Sequence, residues 1–198
     1  MRLQIPEGDF SGYIFDLDGT LVDTMPLHYA AWDAALRKAG LKGRLDENLF
    51  YDLGGMPSRK VAGLLGRHHG LNVDEERVYR DKEAIFMGSL RKLALIEPVV
   101  AFARRVASTH PVAVASGGTR DVVTNTLRVT GLAPLFPVVV TMDDVVHGKP
   151  APDMFLLAAR LMGVEPAGCM VFEDGKPGIQ AAEAAGMKWV LVSSRASA

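Results

Sequence analysis

The stretch YIFDLDGTLVD, residues 13–23, decides the fold of this chain. It opens with an apolar run that is typical of a buried strand, and the run ends in two carboxylates, Asp16 and Asp18. Because successive side chains along a strand point to opposite faces, both carboxylates are expected on one side, with Leu17 on the other. Gly19 then allows the backbone to turn sharply.

Two neighbouring carboxylates at the end of a buried strand repel each other, and desolvation increases that repulsion. A divalent cation relieves it, and Mg²⁺ favours carboxylates together with phosphate oxygens. One carboxylate could then attack an electrophile while the other moves a proton. The competing interpretation is a surface strand that ends in an Asp-Gly turn, a common turn signal, with both acids in solvent.

The composition is that of an ordinary globular protein. The chain has 198 residues, of which 48% are hydrophobic and 23% charged, and this suits one domain with an insertion or two small domains. The net charge of −1 gives no reason to expect nucleic acid or a membrane as a partner. The single cysteine, Cys169, excludes an internal disulfide and is expected in the core. We expect a cytoplasmic protein that is a monomer or weak dimer.

The sequence beyond the first strand divides into a helical segment and a segment of alternating strands and helices. Residues 23–92 show helical apolar stripes and no strand signal, with helices predicted over 26–40, 47–53, 58–69 and 74–93. Further along, strands are predicted at 112–115, 138–141, 169–172 and 189–192, each separated from the next by a helix. This pattern predicts an α/β fold, a doubly wound parallel five-stranded core, with a small helical cap inserted after the first strand. The predicted core is 1–22 and 93–198, and the predicted cap is 23–92.

Polar residues follow three of the predicted strands. The first ends at Asp16 and Asp18, the second at 116–118 (Ser-Gly-Gly) before a helix, and the fourth at 173–174 (Glu-Asp). Ligands of such a sheet bind outside the carboxyl ends of its strands, so these groups should share one rim. A hydroxyl, two glycines and a helix start form an anion site, and Lys149 could neutralise phosphoryl oxygens. The set matches the needs of phosphoryl transfer.

Taken in order, these segments resemble the four motifs of the haloacid dehalogenase superfamily. The motifs correspond to residues 16–23, 116–117, 149–150 and 172–174, and the resemblance covers essentially the whole chain. The helical insertion resembles the family's small cap. Residues 175–187 are similar to the β-phosphoglucomutase-like subgroup, and the chain most resembles its fructose-1-phosphate phosphatase branch.

The resemblance implies a Mg²⁺-dependent phosphatase of small phosphorylated metabolites, sugar phosphates such as fructose 1-phosphate. It implies that Asp16 is the nucleophile that forms an aspartyl-phosphate, and that Asp18 protonates the leaving oxygen and then activates water. Mg²⁺ would be held by the Asp16 side chain, the Asp18 backbone carbonyl and Asp174, with Glu173 acting through water.

The resemblance also implies a set of phosphate- and substrate-binding residues. Ser116 and the Gly117 N–H would bind the phosphate, Lys149 would contact both nucleophile and phosphate, and Gly55 of the cap loop would contact the substrate. The chain departs from the family pattern at Gly118, where a hydroxyl residue is more usual, and at Gly175, which is smaller than usual.

A phosphomutase of the same subgroup is the first alternative. His28 and Trp32 lie one helical turn apart, and the mutase has a His and a Trp at matching places, although packing at a core–cap hinge explains them equally well. The mutase presents an arginine soon after its cap glycine, and that arginine binds the second phosphate of the substrate. Here Met56 and Pro57 intervene after the cap glycine and Arg59 falls inside the predicted helix, which argues against a mutase.

A non-catalytic phospho-acceptor module is the second alternative, because it too places acids, a hydroxyl and a lysine on a parallel sheet. Asp18, two residues after Asp16, and the predicted cap argue against it.

Overall fold

The computed structural model describes residues 3–54, 56, 58–90 and 93–192. The strands are β1 (Gly12–Phe15), β2 (Val22–Asp23), β3 (Ala94–Leu95), β4 (Val112–Ala115), β5 (Val138–Val140), β6 (Cys169–Glu173) and β7 (Lys188–Leu191). The helices are α1 (Met25–Lys38), α2 (Glu47–Asp52), α3 (Ser58–His68), α4 (Glu75–Ser89), α5 (Glu97–Val106), α6 (Arg120–Val129), α7 (Asp153–Met162) and α8 (Lys176–Ala184).

Five of the strands form one parallel sheet in the order β5-β4-β1-β6-β7. β1 lies in the middle, where the chain winds to one side through β4 and β5 and to the other through β6 and β7. The carboxyl end of β1 is therefore the switch point at which a sheet of this kind binds its ligand. The prediction of a doubly wound, parallel five-stranded sheet is confirmed.

The strand side chains alternate between two apolar layers, one on each face of the sheet. Phe15 and Phe172 occupy one face, where their rings stack with centroids 4.8 Å apart, and helices α5 and α6 cover them. Ile14 and Val171 occupy the other face, under α7 and α8. Cys169 is fully buried in this second layer, as a small core residue was predicted to be. Burial on both faces explains why the strands read as short apolar runs.

Helices α1 to α4 form a cap with an apolar cluster of its own, which includes Trp32, Phe50, Leu65 and Val78. Two of these helices begin at aspartates that accept a backbone N–H: Asp46 from Leu49 at 3.0 Å and Asp74 from Arg77 at 3.1 Å. A smaller cluster of Ala31, Phe86, Leu90 and Val122 packs the cap against α6 of the core.

One prediction about the cap segment is wrong. Asp23 belongs to β2, which pairs with β3 as a two-stranded antiparallel ribbon, with Val22 opposite Leu95 and Asp23 opposite Ala94. Strands of two residues are too short to show an alternating pattern, so the sequence could not reveal them. The ribbon joins the two points at which the chain leaves and re-enters the core.

Among the described residues, no helix is both long and apolar enough to cross a membrane.

Candidate active site

Asp16 follows directly after β1, and its backbone N–H donates to the Phe172 carbonyl of β6 at 2.9 Å. Its side chain is buried, with 5% of the residue exposed, while Leu17 turns into the core. Gly19 has a φ of +85°, and a Cβ there would collide with the Asp174 carboxylate. The turn after β1 therefore requires glycine both for its backbone conformation and for the space it leaves to Asp174.

Lys149 is the buried counter-charge of the site. Its Nζ donates to Asp16 Oδ1 at 2.6 Å, to Glu173 Oε1 at 2.5 Å and to the Ala115 carbonyl at 3.0 Å, and 1% of the residue is exposed. The predicted contact between Lys149 and Asp16 is present. The direct bond to Glu173 was missed, because sequence reasoning assigned that carboxylate only to the metal.

The site holds more negative than positive charge. Burial raises the pKa of Asp16 to about 8, although the Lys149 ammonium acts to lower it. Burial and the neighbouring carboxylates also raise the pKa of Asp174 well above its ordinary value. Burial alone would lower the pKa of Lys149, but Asp16 and Glu173 outweigh it and raise it.

This charge excess suits a divalent cation. One carboxylate oxygen from each of Asp16, Glu173 and Asp174 lies within 4.8 Å of the others. Three carboxylates facing one lysine form an all-oxygen donor set, which is the kind that Mg²⁺ prefers. The residues present therefore fit the metal that the sequence predicted, and the identity of the metal stays a prediction.

Asp18 lies two residues beyond Asp16, in a different electrostatic environment. Thr24 Oγ1 donates to its Oδ1 at 2.7 Å, His28 Nε2 lies 3.2 Å from the same oxygen, and Ser116 Oγ donates to Oδ2 at 3.3 Å. Burial would raise the pKa of Asp18, but His28, Thr24 and the charge of Lys82 outweigh it and lower the pKa to about 2. Asp16 and Asp18 thus favour opposite protonation states.

Sequence reasoning missed the role of Thr24 and left that of His28 open. The His28 ring stacks on Phe86 with a centroid distance of 3.8 Å, so it both packs at the cap and contacts Asp18. The helical spacing of His28 and Trp32 was the one signal available in the sequence, and Trp32 is indeed buried in the cap cluster.

The predicted phosphate cradle follows β4. Ser116 is fully buried, and its Oγ accepts the Gly118 N–H at 3.1 Å. Gly117 and Gly118 line the same cavity as Asp16. A Cβ on Gly118 would lie 3.1 Å from Val123 Cγ2, so the departure from the family pattern relieves a tight contact with α6.

The cap supplies two charged groups, Lys82 and Glu83, that sequence reasoning did not identify. The cavity has a volume of about 80 Å³, and its cap side includes Met56, Ser58, Lys82 and Glu83. Gly55, predicted to contact the substrate, lies outside the described residues. Lys82 and Glu83 gave no signal in the sequence, because charged residues on a helix are usually in solvent.

Arg59 pairs with another residue of the cap. It donates to Glu76 at 2.8 Å, and its guanidinium lies 4.8 Å from the centre of the Tyr79 ring. It is not among the described residues that line the cavity. The expectation that Arg59 lies within a helix is confirmed, since it belongs to α3.

Comparison with known proteins gives consistent results. A family described as haloacid dehalogenase-like hydrolase matches residues 10–186. The chain is 38% identical to fructose-1-phosphate phosphatase YqaB of Escherichia coli (strain K12), over 92% of this chain and 96% of that protein. It is 30% identical to a phosphorylated carbohydrates phosphatase of Thermotoga maritima, over 88% of this chain and 81% of that protein.

A solved structure shares the fold at lower sequence similarity. The β-phosphoglucomutase of Clostridium difficile superposes with a TM-score of 0.81 over 91% of this chain and 83% of that chain, at 22% identity. This likeness concerns the fold alone.

Proposed function

Since the chain belongs to the haloacid dehalogenase-like hydrolase family, we propose that it is a Mg²⁺-dependent phosphatase of small sugar phosphates, with hexose phosphates such as fructose 1-phosphate as substrates. The observation that carries this proposal is the buried arrangement at the carboxyl end of β1. Asp16 lies 2.6 Å from Lys149, Glu173 and Asp174 lie beside it, and Asp18 is held separately by its own donors.

Asp16 is the proposed nucleophile. Its carboxylate attacks the phosphorus, the bond between phosphorus and the sugar oxygen breaks, and a phosphoryl group is left on Asp16. Lys149, bonded to Asp16 Oδ1, orients the carboxylate and acts against the burial that raises its pKa. Ser116 and the N–H of Gly117 would donate to the phosphoryl oxygens as negative charge develops.

Asp18 is the proposed acid and base. In the free site its low pKa leaves it ionised, and the approach of a negatively charged phosphate raises its affinity for a proton. A protonated Asp18 gives that proton to the leaving oxygen. The resulting carboxylate then takes a proton from water, which attacks the phosphoryl group on Asp16. Thr24 and His28 orient Asp18 for both steps.

Mg²⁺, when bound, would neutralise phosphoryl oxygens and the carboxylates around them. Asp16, Asp174 and the Asp18 carbonyl would hold it. Glu173, which is bonded to Lys149, would act through water.

The cap must move for a substrate to enter. A cavity of about 80 Å³ is well below the ~300–1,000 Å³ of typical ligand pockets. We therefore infer a closed cap that excludes bulk water during catalysis and opens to exchange substrate and product.

Two observations favour a phosphatase over the mutase alternative. The similarity to a named phosphatase extends to 38% identity over most of both chains, whereas the likeness to the Clostridium difficile mutase, at 22% identity, concerns the fold alone. Moreover, Arg59, the cap arginine considered for a second phosphate, is paired with Glu76.

The test is phosphate release from a panel of sugar phosphates, with Mg²⁺ and with chelator. We expect Mg²⁺-dependent release, and a fall of at least about 10³-fold in Asp16→Asn because the covalent step is lost. Asp9→Asn makes the same chemical change at an exposed position and should retain wild-type activity. Mg²⁺-dependent hydrolysis by Asp16→Asn would refute the mechanism. Isomerisation with a bisphosphate activator and no release would support the mutase instead.

A further inference from the structure

Two adjacent charged residues of α4, Lys82 and Glu83, line the cavity that contains Asp16 and Asp18. The side chain of Lys82 is 2% exposed and that of Glu83 is 18% exposed. Lys82 Nζ donates to Glu83 Oε1 at 2.9 Å. Charged residues are rarely buried on a helix unless they are paired, so this pair is a built feature of the cavity wall.

Two aromatic rings fix the position of the ammonium. Lys82 Nζ lies 5.5 Å from the centre of the Trp32 ring and 5.1 Å from the centre of the Phe86 ring, within the range of cation–π attraction. Trp32 belongs to α1 and Phe86 to α4, so the lysine is held between two cap helices.

The two carboxylate oxygens of Glu83 have different surroundings. Its Oε1 accepts from Lys82, but its Oε2 is shielded from solvent and has no hydrogen-bond partner among the described residues. A buried carboxylate oxygen without a donor is unfavourable, and the hydroxyl group of a ligand would satisfy it once the cap opening inferred above gives access to this oxygen.

The charge of the cap wall also disfavours a second anionic group on the substrate. Among the described residues that line the cavity, Lys82 is the only lysine or arginine. Its pairing with Glu83 leaves the cap wall without net positive charge. A second phosphate or a carboxylate on the substrate would find there a cation already neutralised and an unpaired carboxylate oxygen.

We propose that Glu83 sets the specificity of the site, by selecting phosphate monoesters whose other groups are hydroxyls over substrates that carry a second anionic group. Glu83 accepts a hydroxyl of the substrate through Oε2 and cancels the charge with which Lys82 would attract another anion. This inference rests on the proposed function, because it names the substrate class of the same site.

The test uses two substrate pairs whose members differ by one anionic group. They are fructose 1-phosphate against fructose 1,6-bisphosphate, and glycerol 3-phosphate against 3-phosphoglycerate. For each pair, kcat/KM is measured for the wild type and for Glu83→Gln, which keeps the shape and an acceptor oxygen but removes the charge. We expect the wild type to prefer the member with one anionic group. In Glu83→Gln the relative kcat/KM of the other member should rise at least about fivefold in one or both pairs.

Glu47→Gln is the matched control, since Glu47 is an exposed glutamate of cap helix α2. Its ratios should equal those of the wild type. A rise below fivefold in both pairs, in a Glu83→Gln protein that unfolds cooperatively, would overturn the proposal. If the single variant does not fold, Lys82→Met/Glu83→Gln removes both charges and should keep ratios within about fivefold of wild type; a larger change would overturn it equally.

The same measurements distinguish failure of the proposed function from failure of the role of Glu83. Absence of phosphate release by the wild type from every substrate would refute the phosphatase itself. Release from fructose 1-phosphate or glycerol 3-phosphate with unchanged ratios in Glu83→Gln would refute only the role of Glu83.

Discussion

Asp16, the proposed nucleophile, lies in an unfavourable electrostatic environment. Burial and the nearby Glu173 and Asp18 raise its pKa to about 8, and the single ammonium of Lys149 offsets only part of this effect. A carboxylate with this surplus of negative neighbours accepts a metal ion readily, and without the ion it weakens the fold. The same arrangement that prepares the chemistry therefore predicts a cost in stability.

This cost should depend on pH in the absence of metal. The pKa of Asp16 is about 8 in the folded protein against an ordinary 3.8, so its contribution to stability is fully present below about pH 4 and is lost as the pH rises through about 8. The side chain of Asp16→Asn cannot titrate. The urea midpoint of the variant minus that of the wild type, both measured in chelator, should therefore increase from pH 5 to pH 8. Asp9→Asn should follow the wild type throughout. Parallel curves for wild type and Asp16→Asn would contradict the assignment.

Two glycines form one of the close contacts between cap and core. Gly175, which links β6 to α8, lies against the backbone of Gly54, which follows α2. A Cβ at Gly175 would lie 3.2 Å from the Gly54 carbonyl oxygen. The unusual glycine at this position therefore lets the cap backbone come closer to the rim of the sheet than a larger residue would.

Gly175→Ala should hinder cap closure. Because the added methyl group forces Gly54 back by a few tenths of an ångström, we expect kcat/KM to fall roughly 3–10-fold while the melting temperature stays near that of the wild type. Gly88→Ala is the control: a Cβ there meets nothing within 4 Å, so activity should be unchanged. Steady-state kinetics of both variants test this, and equal kcat/KM values for Gly175→Ala and the wild type would show that the contact does not limit closure.

At the scale of the whole molecule, the proposed metal ligands come from two strands that are adjacent only in the fold. Asp16 follows β1, while Glu173 and Asp174 come at the end of β6, which pairs with β1 in parallel. Unfolding separates these strands and destroys the site, so metal binding should be linked to global stability.

Mg²⁺ should therefore raise the melting temperature. Saturation at 100 times the dissociation constant corresponds to about 2.7 kcal/mol of added stability. Asp174→Asn removes one ligand and should lose most of this shift, whereas Asp9→Asn should retain it. Differential scanning fluorimetry across a Mg²⁺ titration measures both. A shift of equal size in Asp174→Asn would mean that the ion binds elsewhere.

The sequence by itself determined the α/β sheet and the residues at its rim. Short apolar runs that end in Asp16, Ser116 and Asp174 show both where strands stop and what chemistry follows them. The topology of parallel sheets then places these ends together, so their proximity needed no coordinates. The roles of these residues in catalysis stay predictions.

Only the tertiary structure decided the surroundings of these residues. The β2–β3 ribbon, the Thr24 and His28 contacts to Asp18, the bond from Lys149 to Glu173, and the Lys82–Glu83 pair all join segments or orient side chains in ways that local patterns do not encode. A residue's type and spacing set which element it belongs to, whereas its burial and its partners depend on how distant elements pack. For that reason the residues at the rim of the sheet were predictable from the sequence, and the cap wall that faces them was not.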